Sequence, residues 1–388
     1  MSDRASGPAY ARRLVDWGRN VALPRWAEWA WDSRNGGFFE HLGAQGDGLY
    51  GDIRRVRVQA RQCYVFARAH VEGWLSRLDL AEAGFDLVTE RAFEAGGQPG
   101  WAHTLDDQGR VADARRDLYD HAFIILACVW MHRATGAGRY LDMAYRTLDF
   151  LDREMALDNG GYRDAIGAPD LPRRQNPHMH LFEAFLPFFE TTGDPMVKDR
   201  LVGVKRLFDT VFFDRDDVLL REFFEADWSP CWDDGGRVEP GHLCEWVWLL
   251  AEYERLVGGD ETDTRRALFA SSVDLGINPA TGLLYAAIDS QGGVLDAGSR
   301  TWMQTEWVRA AAMHCLRYPD SGSAPLNVAC RGLWERHIAP AAPGGWVDAI
   351  DSRGAITDHR IPMSTAYHIF GAVLEADSFL RETEGASG

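Results

Sequence analysis

One element recurs along this chain and limits what it can become: a helix with polar groups at its start and a dense apolar body. Its copies read "VRVQARQCYVFARAH", "DLYDHAFIILACVWMHRATG", "NPHMHLFEAFLPFFETTGD", "PGHLCEWVWLLAEYERLVGGD", "WMQTEWVRAAAMHCLRYPD" and "MSTAYHIFGAVLEADSFLRE". Their early polar residues are Arg61, His121, His180, His242, Glu306 and His368. Successive copies are separated by roughly sixty residues, longer than most solenoid repeats but suited to a helical hairpin plus a loop. In the third copy, Pro177 suits a first helical turn, where a missing N–H costs nothing. Met179, Leu181, Phe182, Phe185 and Leu186 then follow at helical spacing.

Between these runs lie more charged, amphipathic segments such as "RYLDMAYRTLDFLDREM" and "DETDTRRALFASSVDLGI", as expected of an outer layer. The connections repeat as well: "GGFFEHLGAQG", "GWAHTLDDQGR", "GGYRDAIG", "LLREFFEADW", "GLLYAAIDSQGG" and "GGWVDAIDSRG". Glycine entry, short alternation and a D-x-x-G turn predict small β-hairpins. Nearly apolar inner helices need burial on most sides, which an open solenoid does not provide. The expected fold is therefore all-α, a closed (α/α)6 barrel of six inner and six outer helices with β-hairpins in the loops. A single catalytic domain over residues 1–388 is expected, with flexible ends at 1–8 and 383–388.

A chain 46% hydrophobic and 12% aromatic can bury such a core. Its formal net charge of −17 argues against nucleic acid and against an anionic membrane. No apolar h-region opens the sequence and no apolar run of about 18 residues occurs, so a soluble, cytoplasmic protein is expected. The six cysteines form no C-x-x-C pair and are expected to be reduced.

If every inner helix begins on one rim, its early polar residues converge. Arg61, Tyr119, His121, Asn176, His180, His242, Glu245, Gln304, Glu306 and His368 would then share a central pocket. Histidines aimed at one cavity suit proton transfer, because imidazole titrates near neutral pH. His242 and Glu245 are three apart on one helix, a spacing at which a carboxylate can orient a ring; His180 and Glu183 repeat it. A metal held by "HMH" with His242 and Glu245 is the rival. His178 and His180, two apart on a helix, do not face the same way, and H-x-x-E lacks the i, i+4 histidine pair of zincins. Trp232, Trp302, Tyr119 and Tyr367 could pack on a sugar ring. Phosphate loops, dinucleotide fingerprints and nucleophile elbows are absent.

At "ARQCYVF", "YDHAFIILA", "NPHMHLFEA", "PGHLCEW", "WMQTEW" and "STAYHIF" the chain resembles the N-acylglucosamine 2-epimerase superfamily, from about Trp26 to Leu380. It looks closest to the branch with D-mannose and sulfoquinovose isomerases, and "STAYH" is the isomerase-like context. The resemblance implies a barrel enzyme without metal or cofactor that interconverts aldoses with ketoses or with C2 epimers. It implies His242 and His368 as the acid/base pair, His180 assisting ring opening, Arg61 lining the barrel and Glu245 orienting His242. Tyr119, Asn176, Trp302 and Gln304 would hold sugar hydroxyls, and Arg57, one turn before Arg61, could take its place. His121 and Glu306 are further candidate substrate contacts.

The expected reaction is D-mannose (or a close aldose such as D-lyxose) to D-fructose or the matching ketose through a cis-enediolate. A 2-epimerase or sulfoquinovose isomerase is the alternative. A sulfonate would need a cation, for which Arg173, Arg174, Arg221 and Arg237 are candidates. A glycoside hydrolase would need two carboxylates across a bond, with Asp106, Asp107 and Glu306 available. A non-catalytic sugar binder would explain the aromatics but not the histidines with their paired carboxylates. The expected partner is a monosaccharide, with a homodimer left open.

Overall fold

The computed structural model describes residues 8–169, 172–232 and 235–385. Helix α1 (Ala9–Trp17) continues through a wide turn at Gly18–Ala22 into Leu23–Trp29. The chain then alternates inner and outer helices: α2 (Val56–Val71), α3 (Leu78–Ala92), α4 (Leu118–Thr135), α5 (Gly138–Phe150), α6 (Gln175–Thr192) and α7 (Pro195–Leu207). It ends with α8 (Pro240–Val257), α9 (Thr262–Gly276), α10 (Thr301–Arg317), α11 (Ala324–Leu333) and α12 (Ala366–Gly385).

Burial separates the two layers. Inner helix α4 is buried almost continuously from Leu118 to Met131. Its outer partner α5 buries Tyr140, Ala144, Thr147 and Leu148, the single stripe of an amphipathic helix. The even-numbered helices pack on one another in sequence, and α12 returns to pack on α2. This is the expected (α/α)6 barrel, with six inner and six outer helices among the described residues.

The hairpins close the ring a second time. The strand before each inner helix pairs with the connection about fifty residues further on, a spacing fixed by one helical hairpin plus its loop. Arg54–Arg55 pairs with Thr104–Leu105, Arg116–Asp117 with Ala165–Ile166, and Arg173–Arg174 with Phe223–Phe224. Val238 bridges Ile288, and Ser299–Arg300 pairs with Ala349–Ile350. Ile361–Pro362 then returns to His41–Leu42 near the start of the chain. These pairings are separate two- and three-stranded pieces rather than one continuous sheet, and they follow one another around the rim.

One continuous core holds residues from Ala11 to Leu380. The expected flexible ends fall partly at 1–7 and 386–388, outside the described residues. Residues 383–385, however, continue α12, and Glu384 pairs with Arg12 at 2.9 Å. Cys63, Cys128, Cys244, Cys315 and Cys330 are free thiols.

Candidate active site

Because the inner helices start in the same way, equivalent positions can be compared by counting from the residue before each one: Arg55, Asp117, Arg174, Glu239, Arg300 and, for the last, Pro362. Two residues on stand Arg57, Tyr119, Asn176, Gly241, Trp302 and Ser364; six on stand Arg61, Phe123, His180, Glu245, Glu306 and His368. These sets are four apart, so they share the helix face that looks down the barrel axis. Gly241 has a spatial reason: a Cβ there would lie 2.8 Å from the Trp302 ring.

A cavity of about 230 Å³ opens between these faces. It is lined by Arg55, Arg57, Arg61, Tyr119, Asn176, His180, Glu239, His242, Glu245, Arg300, Trp302, Ser364, Thr365 and His368. Its volume is below the roughly 300–1,000 Å³ of pockets for drug-sized ligands, which suits a single sugar ring.

His242 and His368 flank Trp302, whose ring centroid lies 5.0 Å from the first imidazole and 5.8 Å from the second. Their environments differ. Burial disfavours a charge on His242, but the Glu222 carboxylate, 2.8 Å from Nδ1, outweighs it together with Glu239 and raises the pKa to about 9. His242 is therefore an imidazolium at neutral pH. The amide of Asn176 lies 3.1 Å from its Nε2, and Oδ1 of Asn176 otherwise has no partner. Turning that amide lets Oδ1 accept from Nε2–H, which satisfies both groups.

Burial, with Arg61 and Arg309 nearby, holds His368 well below the ordinary imidazole range. Its Nδ1–H donates to Glu306 at 2.8 Å, which leaves the Nε2 lone pair available. Glu306 is in turn fixed by the Trp248 indole N–H at 3.0 Å and by Arg309 at 3.1 Å. One cavity thus holds a proton donor and a proton acceptor of the same residue type, the divergence that marks acid/base assignments.

His180 sits in a directed hydrogen-bond chain. Arg61 donates to the Tyr119 hydroxyl at 2.8 Å, Tyr119 to His180 Nε2 at 3.1 Å, and His180 Nδ1–H to Glu183 at 3.0 Å. Burial drives the His180 pKa down to about 3, so the ring is neutral. Arg55, Arg57 and Arg300 each meet a carboxylate, from Glu40, Asp120 and Asp348 respectively. Among the described residues, Arg61 alone of the cavity's arginines has no carboxylate partner; its other hydrogen bond is to the Ser364 carbonyl at 3.1 Å, and its guanidinium lies 4.1 Å from the Phe123 ring centroid. Of the two candidate arginines, Arg57 is thus paired with a carboxylate and Arg61 is not.

The profile of the N-acylglucosamine 2-epimerase (GlcNAc 2-epimerase) family matches residues 37–372. The chain belongs to that family. It is 33% identical, over 96% of its length and 97% of the other chain, to a protein of Rhizobium meliloti (strain 1021) named mannose-6-phosphate isomerase. A D-mannose isomerase of Thermobifida fusca is 27% identical over 93% of this chain and 94% of its own. Solved structures share the fold. Cellobiose 2-epimerase of Spirochaeta thermophila DSM 6192 superimposes with a TM-score of 0.87 at 21% identity, covering 99% of each chain. A D-mannose isomerase does so with a TM-score of 0.85 at 20% identity, covering 97% of this chain and all of that one. As a member of this family the protein is a sugar isomerase or epimerase. No helix among the described residues is long and apolar enough to cross a membrane.

Several expected site residues of this family member lie elsewhere. Four positions beyond Arg55, Asp117, Arg174 and Arg300 stand Gln59, His121, His178 and Gln304, turned outward toward the hairpins, while Leu243 and Ala366 hold the same place in the other two. His121 Nε2 accepts the Trp101 N–H at 3.1 Å, and His178 Nε2 accepts the Tyr162 N–H at 3.1 Å. Gln59 and Gln304 make two bonds each to the backbones of Phe38 and Leu284. His121 and Gln304 are therefore latches for the loops, and neither reaches the cavity. Glu306 lies behind His368 rather than on the cavity wall.

Glu245 does not orient His242, whose Nδ1 is held by Glu222. Neither oxygen of Glu245 has a hydrogen-bond partner, and its side chain is 0% exposed, 3.6 Å from His180 Nδ1. Burial, then Glu306 and Glu183, raises its pKa well above the carboxylate range, which favours the protonated acid where it faces the cavity. Trp232, 55% exposed, lies outside the cavity, and Tyr367 is buried with its hydroxyl on Glu183. Arg173, Arg174, Arg221 and Arg237 do not line the cavity, and Asp106 caps an exposed turn against Arg110.

Sequence reasoning missed Glu222, Arg55 and Arg300. A signal for Glu222 existed. Glu40, Asp164, Glu222 and Asp348 all occupy the position before the hairpin strand in "FFEHL", "YRDAI", "LREFF" and "WVDAI". Each backbone carbonyl there accepts the first N–H of an inner helix: Met363, Leu118, Gln175 and Thr301 in turn. The side chains rise beside the cavity rim because that bond places them there.

Proposed function

We propose that the protein is an aldose–ketose isomerase that converts D-mannose, or a close aldose, to D-fructose or the matching ketose. The observation that carries this reading is the opposed protonation of His242 and His368 on either side of Trp302. After ring opening, which engages His180 once Nε2 exchanges the Tyr119 hydroxyl for a sugar hydroxyl, His368 Nε2 takes the C2 proton. The C2–H electron pair becomes the C1–C2 double bond, and the carbonyl oxygen at C1 receives a proton from His242. Arg61 and the neutral Glu245 donate to the enediolate oxygens. Return of the C2 proton to C1, with loss of the O2 proton to His242, yields the ketose.

The small cavity favours a monosaccharide, and the Rhizobium and Thermobifida relatives named isomerases, at 33% and 27%, exceed the 24% identity of a Bacteroides fragilis cellobiose 2-epimerase. A phosphorylated aldose is the second reading, drawn from the Rhizobium relative's name and from the rim arginines. Glu40, Asp120 and Asp348 already match those arginines, which favours the uncharged sugar.

The reaction as written uses no metal. His180, Glu183 and Glu245, and likewise Glu245, Glu306 and His368, place ligand atoms within 4.8 Å of one another. A cation in either set would compete with the Nδ1–H bonds to Glu183 and Glu306. The test is NMR of EDTA-treated protein in D2O with D-mannose, then D-mannose 6-phosphate, D-glucose, N-acetylglucosamine and cellobiose. Fructose from mannose, with deuterium at the reacting carbons, is expected. Turnover only after a divalent metal is restored would make the histidines ligands. Mannose without fructose from glucose would make the enzyme an epimerase.

A further inference from the structure

The barrel has a second mouth. Opposite the active-site cavity, at the far ends of the inner helices, lies another cavity, of about 150 Å³. An ion-pair chain borders it: Arg133 to Glu190 at 2.8 Å, Glu190 to Arg255 at 2.7 Å and Arg255 to Glu252 at 2.7 Å. This border neutralises itself.

Inside, two guanidiniums are held flat by aromatic rings. Arg309 lies 3.4 Å from the Trp248 centroid and Arg68 lies 4.6 Å from that of Trp130. Each spends Nη1 locally, Arg68 on the Tyr64 hydroxyl at 2.7 Å and Arg309 on Glu306. Among the described residues, Nε of Arg309, a residue 2% exposed, has no hydrogen-bond partner, and Nε of Arg68 has none either, lying 3.5 Å from the Glu72 carboxylate. Glu375, which lines the same cavity, forms no hydrogen bond or ion pair there. Unused donors therefore face an unused acceptor across a small space with aromatic walls.

We propose that this second mouth is a binding site for a neutral polyhydroxylated molecule no larger than a monosaccharide. A hydroxyl can accept from a guanidinium and donate to a carboxylate, so one ligand type satisfies both sets of unused groups. A charged ligand would leave one sign uncompensated, because the border is balanced, Glu306 matches Arg309, and Glu72 and Glu375 meet the charge of Arg68. An apolar ligand would strand the polar groups.

The position also links this site to the active site. Glu183 lines the second cavity and takes the Nδ1–H of His180. Arg309 lines it and holds Glu306, which takes the Nδ1–H of His368. A ligand here acts on each histidine through one or two side chains.

The test uses erythritol, which has no carbonyl and cannot turn over, followed by ligand-observed NMR. Trp302→Ala protein serves as background, so that the active-site cavity is impaired. Erythritol should bind this protein, and adding Arg68→Met or Glu375→Leu should weaken binding about 3–10-fold, the loss of one or two hydrogen bonds. Arg68→Lys, which keeps a donor, should weaken it less than Arg68→Met. No binding to the Trp302→Ala protein, or equal binding with and without the Arg68 and Glu375 changes, would overturn the proposal. Neither result depends on which sugar the enzyme isomerises.

Discussion

Glu222 Oε1 lies 2.8 Å from Nδ1 of His242, although one residue ends a hairpin connection and the other opens a helix. This bond, with the charge behind it, keeps His242 protonated at neutral pH. Glu222→Gln keeps the shape and removes the charge. The alkaline limb of kcat/KM, set near pH 9 in the wild type by loss of the His242 proton, should then move down by about 1–3 pH units. Stability follows the same sign. The raised pKa adds stability that is fully present below the ordinary value of 6.5 and is lost as pH rises through about 9. Thermal unfolding of the two proteins should therefore differ most below pH 6.5 and converge above 9. An unmoved alkaline limb would remove Glu222 from this role.

In the proposed mechanism His368 is the acceptor. Its pKa lies well below 6.5, so the acid limb of the profile should fall below that value, where the ring gains a proton and stops acting as a base. His368→Ala should reduce kcat by about 10²–10⁴ and abolish exchange of the C2 proton with D2O, while KM changes little. Turnover near that of the wild type would exclude it from the mechanism.

The barrel was legible because its evidence repeats. Six apolar runs and six hairpin strings required a common explanation, and closure follows once each inner helix must be buried. The site was legible only in part, for a reason of helical phase. Tyr119 and His121 differ by two positions, about 200° around a helix, so they cannot both face the axis. The same argument separated His178 from His180 correctly, and it also assigns Gln304 to the loops once Trp302 is placed inward. Glu222 was hidden because it reaches His242 through the strand pairing of Phe223–Phe224 with Arg173–Arg174. Pairing partners distant in sequence cannot be read from spacing along one helix.

Arg61 and Arg57 stand one turn apart but should behave differently. Arg61 donates to a phenol and a carbonyl and keeps its charge for the enediolate, whereas Asp120 takes that of Arg57 at 3.1 Å. Arg61→Met should lower kcat by about 10²–10³, the usual loss on removing a donor aimed at a developing oxyanion. Arg57→Met should act mainly through stability, because it leaves the buried Asp120 carboxylate with His103 at 2.6 Å as its remaining side-chain partner. Steady-state kinetics and urea unfolding of both variants separate the two roles, and a larger kcat loss for Arg57 would reverse the assignment.

The loop latches give a prediction of the opposite kind. His121→Leu removes the acceptor for the buried Trp101 N–H, and Gln304→Leu strands both the N–H and the C=O of Leu284. Each stranded buried group costs about 1–3 kcal/mol. Both variants should therefore unfold at lower urea concentration while keeping kcat and KM within about twofold at a temperature where they are folded. The reason is geometric, since both side chains point away from the sugar cavity and toward the hairpins that frame it. A kcat loss without a stability loss in either variant would return that residue to the active site.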